Sequence, residues 1–176
     1  MIRTLWVGLL AAAVVACSGD DAVPDAAVAK DTVAFVVRHA ETTSDPVDPP
    51  LSTAGQARAQ ALAGILATAE VAAIYSSQYR RTRDTGTVVG DAVGVLVQVR
   101  QVDGTNAATY GAELATLVRD THPSQAVLIV GHSNTVPETV KALSGVTIPP
   151  IAESEYNRLY TITLASDGAH VDLMTY

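Results

Sequence analysis

The sequence predicts an α/β domain: a three-layer α/β/α sandwich with a mostly parallel central sheet and a C-terminal antiparallel hairpin. Three observations lead there. From Asp31 onward, apolar runs with β-branched residues alternate with alanine-rich amphipathic stretches, the pattern of successive βα units. The runs at Thr32 to Val37 (TVAFVV) and Ala126 to Val130 (AVLIV) are apolar throughout, as expected of strands covered on both faces. Near the C-terminus two strand-like segments flank Ser166-Asp167-Gly168, a hairpin signal.

The elements follow in order. Thr32 to Val37 is the first strand. The loop from Thr42 to Pro50 carries three prolines and ends at Ser52 or Thr53, either able to cap a helix; Thr53 with Gln56 fits a capping box. That helix is expected to reach about Ala69, with Ala57, Ala61, Leu62, Ile65 and Leu66 as its apolar stripe. A short strand at Val71 to Tyr75 leads into a helix from about Tyr79 to Val93. Val95 to Val102 reads as a third strand, and Pro123 stops a helix that runs from about Thr109 to Thr121. After the strand at Ala126 to Val130, a helix spans about Val136 to Leu143 before Gly145. Arg158 to Leu164 and His170 to Tyr176 are the two arms of the hairpin.

Composition narrows the function. The chain has 176 residues, 48% of them apolar, which suits one packed domain and excludes a disordered chain. Eleven basic against 18 acidic residues leave a formal charge of -7, so nucleic acid is not an expected partner and any anion site must be a local cluster of arginines. The single cysteine, Cys17, can form neither an internal disulfide nor a shared thiolate metal site.

Residues 1–16 are expected to be a signal peptide. Arg3 precedes an apolar run from Leu5 to Ala16, long enough for a signal core and too short to span a bilayer. Val14-Val15-Ala16-Cys17 resembles a bacterial lipobox, in which the cysteine sulfur receives a lipid and the residue becomes the new N-terminus. Residues 17–30 then read as a lipidated tether and 31–176 as the folded domain. The expectation is an exported, membrane-anchored lipoprotein on the periplasmic or cell-surface side, held in membrane lipid at about 0.8 kcal/mol per buried methylene.

The residues able to do chemistry lie where strands end. Arg38-His39-Ala40-Glu41 closes the first strand, Ser76-Ser77 and Arg80-Arg81-Thr82 follow the second, and Gly131-His132-Ser133-Asn134 closes the fourth. Ligands of open α/β sheets bind beyond the carboxyl ends of the strands, so these segments can converge on one crevice. Guanidinium forks match phosphate oxygens and helix N-termini add backbone donors, which suits the crevice to a phosphoryl group. A neutral imidazole at His39 can attack phosphorus, and adjacent guanidiniums disfavour a proton on it. His132 would stabilise charge on the transferring oxygens. No histidine pair has the spacing of a helical zinc site and no acidic run resembles a calcium loop, so neither metal nor cofactor is expected. Thr135 stands where a nucleophile elbow needs its last glycine; Ser133, like Ser52 and Ser77, suits helix capping or donation to phosphate. His122 and His170 read as surface residues, and the tyrosines at 75, 79, 110, 156 and 160 as core or rim packing.

Four segments in order, RHAE at 38–41, PLSTAGQARAQA at 50–61, YSSQYRRTRDT at 75–85 and VGHSNTVP at 130–137, resemble the histidine phosphatase superfamily, also called phosphoglycerate mutase-like. The resemblance covers almost all of Thr32 to Tyr176 and, with the lipobox, suggests a bacterial lipoprotein branch. It implies that His39 is the nucleophile that becomes phosphorylated, with Arg38, Arg81 and His132 lining the phosphate pocket. Arg81 is preferred to Arg80 because Ser77, Arg81 and Thr85 match the family spacing of Ser, Arg and Thr. Glu41, Ser52 and Ser133 complete the candidate substrate contacts. The family draws a proton for the leaving oxygen from an acidic side chain; here Asp103, after the third strand, is the first candidate and Glu41, Glu113 and Glu155 are others. Asp103 also has the setting of a turn residue, before Gly104 and Asn106.

The expected function is a metal-independent phosphatase that hydrolyses small phosphomonoesters through a phosphohistidine. Two alternatives stay open. One is an anion-binding lipoprotein without turnover. The other is a phosphotransferase of the mutase type, which needs a lid that excludes water and for which the chain has little room.

Overall fold

The computed structural model describes residues 30–176; the expected signal segment, Cys17 and the tether up to residue 29 lie outside the described residues. Among the described residues six strands and four helices follow in the order β1 (Thr32–Arg38), α1 (Thr53–Leu66), β2 (Val71–Ser76), α2 (Arg80–Val93), β3 (Val97–Val99), α3 (Tyr110–Thr121), β4 (Ala126–Gly131), α4 (Thr135–Ser144), β5 (Arg158–Ala165) and β6 (Gly168–Thr175). They form one sheet in the order β3-β2-β4-β1-β5-β6. The first four of these are mutually parallel, and β5 and β6 add the antiparallel hairpin.

Side chains alternate between the two faces of the central strands and feed two cores. On one face Ala34, Val36, Val127, Ile129 and Ile162 pack under Leu114 and Val118 of α3 and Val140 and Leu143 of α4. On the other, Val37, Ile74, Leu128, Val130 and Leu159 pack under Leu62 and Leu66 of α1 and Val89 of α2. Helices thus cover both sides, which is why β1 and β4 read as continuous apolar runs.

Several local expectations are corrected. Ser52, not Thr53, caps α1: its Oγ accepts from Gly55 N at 3.1 Å. The buried face of that helix is Gly55, Ala59, Leu62, Ala63 and Leu66, while Ala57, Ala61 and Ile65 face solvent. Gly55 explains the rotation, since a Cβ there would lie 2.0 Å from the carbonyl oxygen of Glu41; only glycine lets α1 seat against the end of β1. The helix stops at Leu66, short of Ala69. β3 shrinks from the expected Val95 to Val102 to three residues, because it is an edge strand paired with β2 alone, and Leu96 and Val99 are exposed.

Strand register places the chemistry. Arg38 pairs with Gly131 across β1 and β4, so His39 and His132 leave the sheet side by side, and His39 N donates to Gly131 O at 2.9 Å. Ser76 pairs with Val130, which puts Ser77 at the same edge.

Candidate active site

Beyond this edge opens a cleft of about 690 Å³ whose lining includes Arg38, His39, Tyr79, Arg81, Asp103, His132, Ser133, Glu153 and Tyr156. The rings of His39 and His132 face each other at 5.4 Å between centroids, inclined at 65°. His39 Nδ1 lies 2.8 Å from the carbonyl oxygen of Ala40, and a carbonyl only accepts, so Nδ1 carries the proton and Nε2 the lone pair. Among the described residues Nε2 has no hydrogen-bond partner and is not one of the sealed polar atoms, which leaves it open to the cleft. Burial, opposed by the Ala40 bond and assisted by the Arg38 and Arg81 charges, lowers the His39 pKa to about 4. The ring is neutral at pH 7.

His132 is held differently. Its backbone N–H donates to Thr135 Oγ1 at 2.9 Å, and Gly131 makes this possible: a Cβ there would meet the same hydroxyl at 2.7 Å. Its Nε2 is 2.8 Å from Ser77 Oγ, which in turn is 2.8 Å from Thr82 Oγ1. Thr82 spends its hydroxyl proton on the carbonyls of Tyr79 and Ser77, so it accepts from Ser77, and Ser77 accepts from His132. The proton of neutral His132 therefore sits on Nε2. Burial, followed by the charges of His39, Arg81 and Arg38, lowers its pKa to about 3.

The two arginines divide the work. Arg38, 4% exposed, donates from Nη1 to the carbonyls of Ala152, Glu153 and Glu155 and from Nη2 to Glu153 Oε2 at 2.9 Å. Its Nε is the one sealed side-chain polar atom among the described residues without an acceptor. Arg81 sits with its guanidinium 4.5 Å over the Tyr79 ring, and among the described residues its side chain makes no hydrogen bond, only an approach of 4.0 Å to Asp48. Its donor fork is available to a ligand. Arg80 points elsewhere and pairs with Asp84, and Arg83 is exposed. Thr85 ties α2 to the segment that follows β1 by accepting from Ala40 N at 3.0 Å.

The structure thus brings Arg38, His39, Arg81 and His132 around one cavity, with Ser133 and Asp103 at its margin. Glu41 and Ser52 do not line it. Glu41 is engaged by the Arg58 guanidinium, which holds its carboxyl below the usual range, and Ser52 is spent on the α1 cap. Asp103 accepts from the backbone N–H and hydroxyl of Thr105, bonds that hold its pKa below the ordinary carboxylate value and make it a poor proton donor. Glu113 and Glu155 lie off the cleft, Glu155 held by Arg158 and by Ala152 N. His122 is half-buried between Tyr75 and Gln125, whereas His170 is exposed. Tyr75, Tyr110 and Tyr160 are core residues, while Tyr79 and Tyr156 wall the cleft. Sequence reasoning missed Glu153: it lies in a loop with no periodicity, and its only signal was nearness to the already noted Glu155. Among the described residues no group of three His, Cys, Asp or Glu side chains could hold a metal ion, and no helix is long and apolar enough to cross a membrane.

The model of the histidine phosphatase superfamily (branch 1) matches residues 34–112, the stretch that carries Arg38, His39 and Arg81. Over that stretch the chain is similar to the histidine phosphatase superfamily. Solved structures share its fold. The protein histidine phosphatase SixA, complexed with tungstate, aligns with a TM-score of 0.65 at 20% identity over 81% of this chain and 96% of its own. A mycobacterial glucosyl-3-phosphoglycerate phosphatase aligns with a TM-score of 0.62 at 16% identity over 84% and 99%. A phosphoserine phosphatase from Entamoeba histolytica, in complex with 3-phosphoglyceric acid, aligns with a TM-score of 0.58 at 14% identity over 82% and 95%. No curated protein matches by sequence. The chain carries both histidines in positions set by backbone register, not by flexible loops.

Proposed function

We propose that this domain is a metal-independent phosphatase that hydrolyses small phosphomonoesters through a phosphohistidine on His39. The observation that carries the reading is the open Nε2 of a neutral, buried His39 facing His132 between two guanidiniums. Its similarity to the superfamily over residues 34–112 and the phosphatases among the structures that share its fold support it.

In the first step Nε2 forms a bond to phosphorus as the bond to the leaving oxygen breaks. In the second, water attacks the same phosphorus and the N–P bond breaks, freeing phosphate. The Nδ1–H bond to Ala40 disperses the positive charge that builds on the ring. The Arg81 fork, free of side-chain hydrogen bonds among the described residues, is placed for the non-bridging oxygens, and Arg38 adds its positive charge to the same cleft. His132 borders the same oxygens.

The test is phosphate release from an aryl phosphate by the wild type and by His39→Ala, with acid-labile phosphate trapped on the protein. Turnover and trapping lost together in the variant are expected. Phosphate binding without turnover would replace the reading by an anion-binding module, and transfer of the trapped group to an added alcohol in preference to water would make it a transferase.

The same proposal places the enzyme outside the cytoplasm. Residues 1–16 have the form of an export signal and Cys17 follows a lipobox-like Val-Val-Ala, so acylated Cys17 would anchor the domain to a membrane. Metabolic labelling with a fatty acid, present in the wild type and absent in Cys17→Ser with release from the membrane fraction, tests it.

A further inference from the structure

We propose that Glu153 is the carboxylic acid that protonates the leaving oxygen and later takes a proton from the attacking water; the proposal rests on the phosphatase reading above. Three carboxylates line the cleft: Asp45, Asp103 and Glu153. Asp45 accepts from the Val47 N–H within its own loop, and Asp103 is bound to Thr105 within its own turn. Only Glu153 reaches the machinery. Its Oε2 takes a hydrogen bond from Arg38 Nη2 at 2.9 Å and its Oε1 one from Ser133 Oγ at 3.0 Å.

The loop that carries it is fastened to the catalytic arginine itself. Arg38 Nη1 donates to the carbonyls of Ala152, Glu153 and Glu155, and the Arg38 guanidinium stacks 4.1 Å from the centroid of the Tyr156 ring. The loop backbone is thereby held, while the Glu153 side chain itself is 85% exposed. The neighbouring pair of His39 and Tyr156, 5.8 Å apart, keeps the loop against the nucleophile.

The chemistry follows from competition. A phosphate dianion entering the cleft competes with Glu153 for the Arg38 guanidinium, and Glu153 acts from its protonated form. As His39 Nε2 bonds to phosphorus and the P–O bond to the alcohol breaks, the proton of Glu153 passes to that oxygen and the alcohol leaves neutral. In the second step Glu153, now a carboxylate, takes a proton from water as the water oxygen bonds to phosphorus and the N–P bond opens. The group ends protonated, as it began.

The test compares kcat/KM, which reports leaving-group departure, for p-nitrophenyl phosphate and glycerol 2-phosphate in the wild type, Glu153→Gln and Asp103→Asn. A nitrophenolate leaves without a proton and an alkoxide does not. Expected is a loss of about 100-fold or more for Glu153→Gln on glycerol 2-phosphate, with a loss under about 5-fold on the nitrophenyl ester and little change in Asp103→Asn. Equal losses on both esters would reduce Glu153 to a positioning residue for Arg38 and overturn the proposal. So would a selective alkyl-ester loss in Asp103→Asn, or a wild type that cleaves only the nitrophenyl ester. A wild type inert toward both would instead sink the phosphatase reading.

Discussion

His132 Nε2 and Ser77 Oγ stand 2.8 Å apart although 55 residues separate them, because β2 and β4 are neighbours whose ends are in register. Ser77 is itself fully buried, with its hydroxyl directed onto Thr82. This chain settles which nitrogen of His132 carries the proton.

Removing it should cost catalysis more than folding. In Ser77→Ala a buried N–H loses its acceptor, a penalty of about 1–3 kcal/mol, and His132 gains access to the other tautomer. Expected is a fall in kcat of about tenfold or more with a smaller change in KM. Unchanged kcat on an aryl phosphate would show that the tautomer of His132 is immaterial.

The buried histidines set the pH response. Burial is the main cause of the low pKa values of His39, about 4, and His132, about 3. In the unfolded chain both titrate near 6.5. The unfolded state therefore binds more protons below that pH, and the stability held above about 6.5 is lost as pH falls toward 4. Denaturant midpoints measured from pH 7.5 to 4 should decline in the wild type and decline less in His132→Asn. For the same reason the acidic limb of kcat/KM, once corrected for the substrate's second ionisation near pH 6, should lie well below 6.5.

Arg38 and Arg81 should respond differently to lysine. Both variants lose the planar fork and should fall by roughly 100-fold in kcat/KM on an aryl phosphate. Arg38→Lys also abandons the carbonyls of Ala152, Glu153 and Glu155, so it should lose about 2 kcal/mol or more of stability, read as a lower unfolding midpoint. Arg81→Lys gives up no side-chain hydrogen bond among the described residues and should unfold like the wild type. Equal stability of the two variants would contradict this division.

Two glycines of one helix should behave oppositely. Gly55→Ala forces a Cβ to 2.0 Å from Glu41 O, next to the nucleophile loop, and should cost about 1–3 kcal/mol. Gly64→Ala meets nothing within 4 Å and should add about 0.5–1 kcal/mol through helix propensity. Thermal unfolding of both reads the contrast.

Catalysis carried by imidazole and guanidinium needs no metal ion. Activity should persist after dialysis against a chelator and should fall with vanadate, which mimics five-coordinate phosphorus. Loss in chelator with recovery on adding a divalent cation would exclude the proposed chemistry.

Much of this was legible in the residues. The apolar runs at 32–37 and 126–130 announced buried parallel strands, and the residues just after them were the histidines that meet in the cleft. Helix faces were less legible: Ile65 and Ala61 fit the 3.6-residue periodicity, yet the close seating of Gly55 on Glu41 turned them to solvent. Glu41 looked like a site residue by its place beside His39, but Arg58 claims it at 2.7 Å. Asp103 lay at the right end of the sheet and is bound up in its own turn.

The sequence by itself determined the order of strands and helices and the chemical groups at each strand's end, because periodicity and strand termini are local properties of the chain. Only the tertiary structure decided which groups act together. Arg38 and Glu153 are 115 residues apart, and their bond depends on a loop path that no local pattern encodes. The physical reason is that pairing between distant charged side chains is set by packing and desolvation in three dimensions, where one guanidinium at Arg58 or one hydroxyl at Thr105 is enough to withdraw a carboxylate from the site.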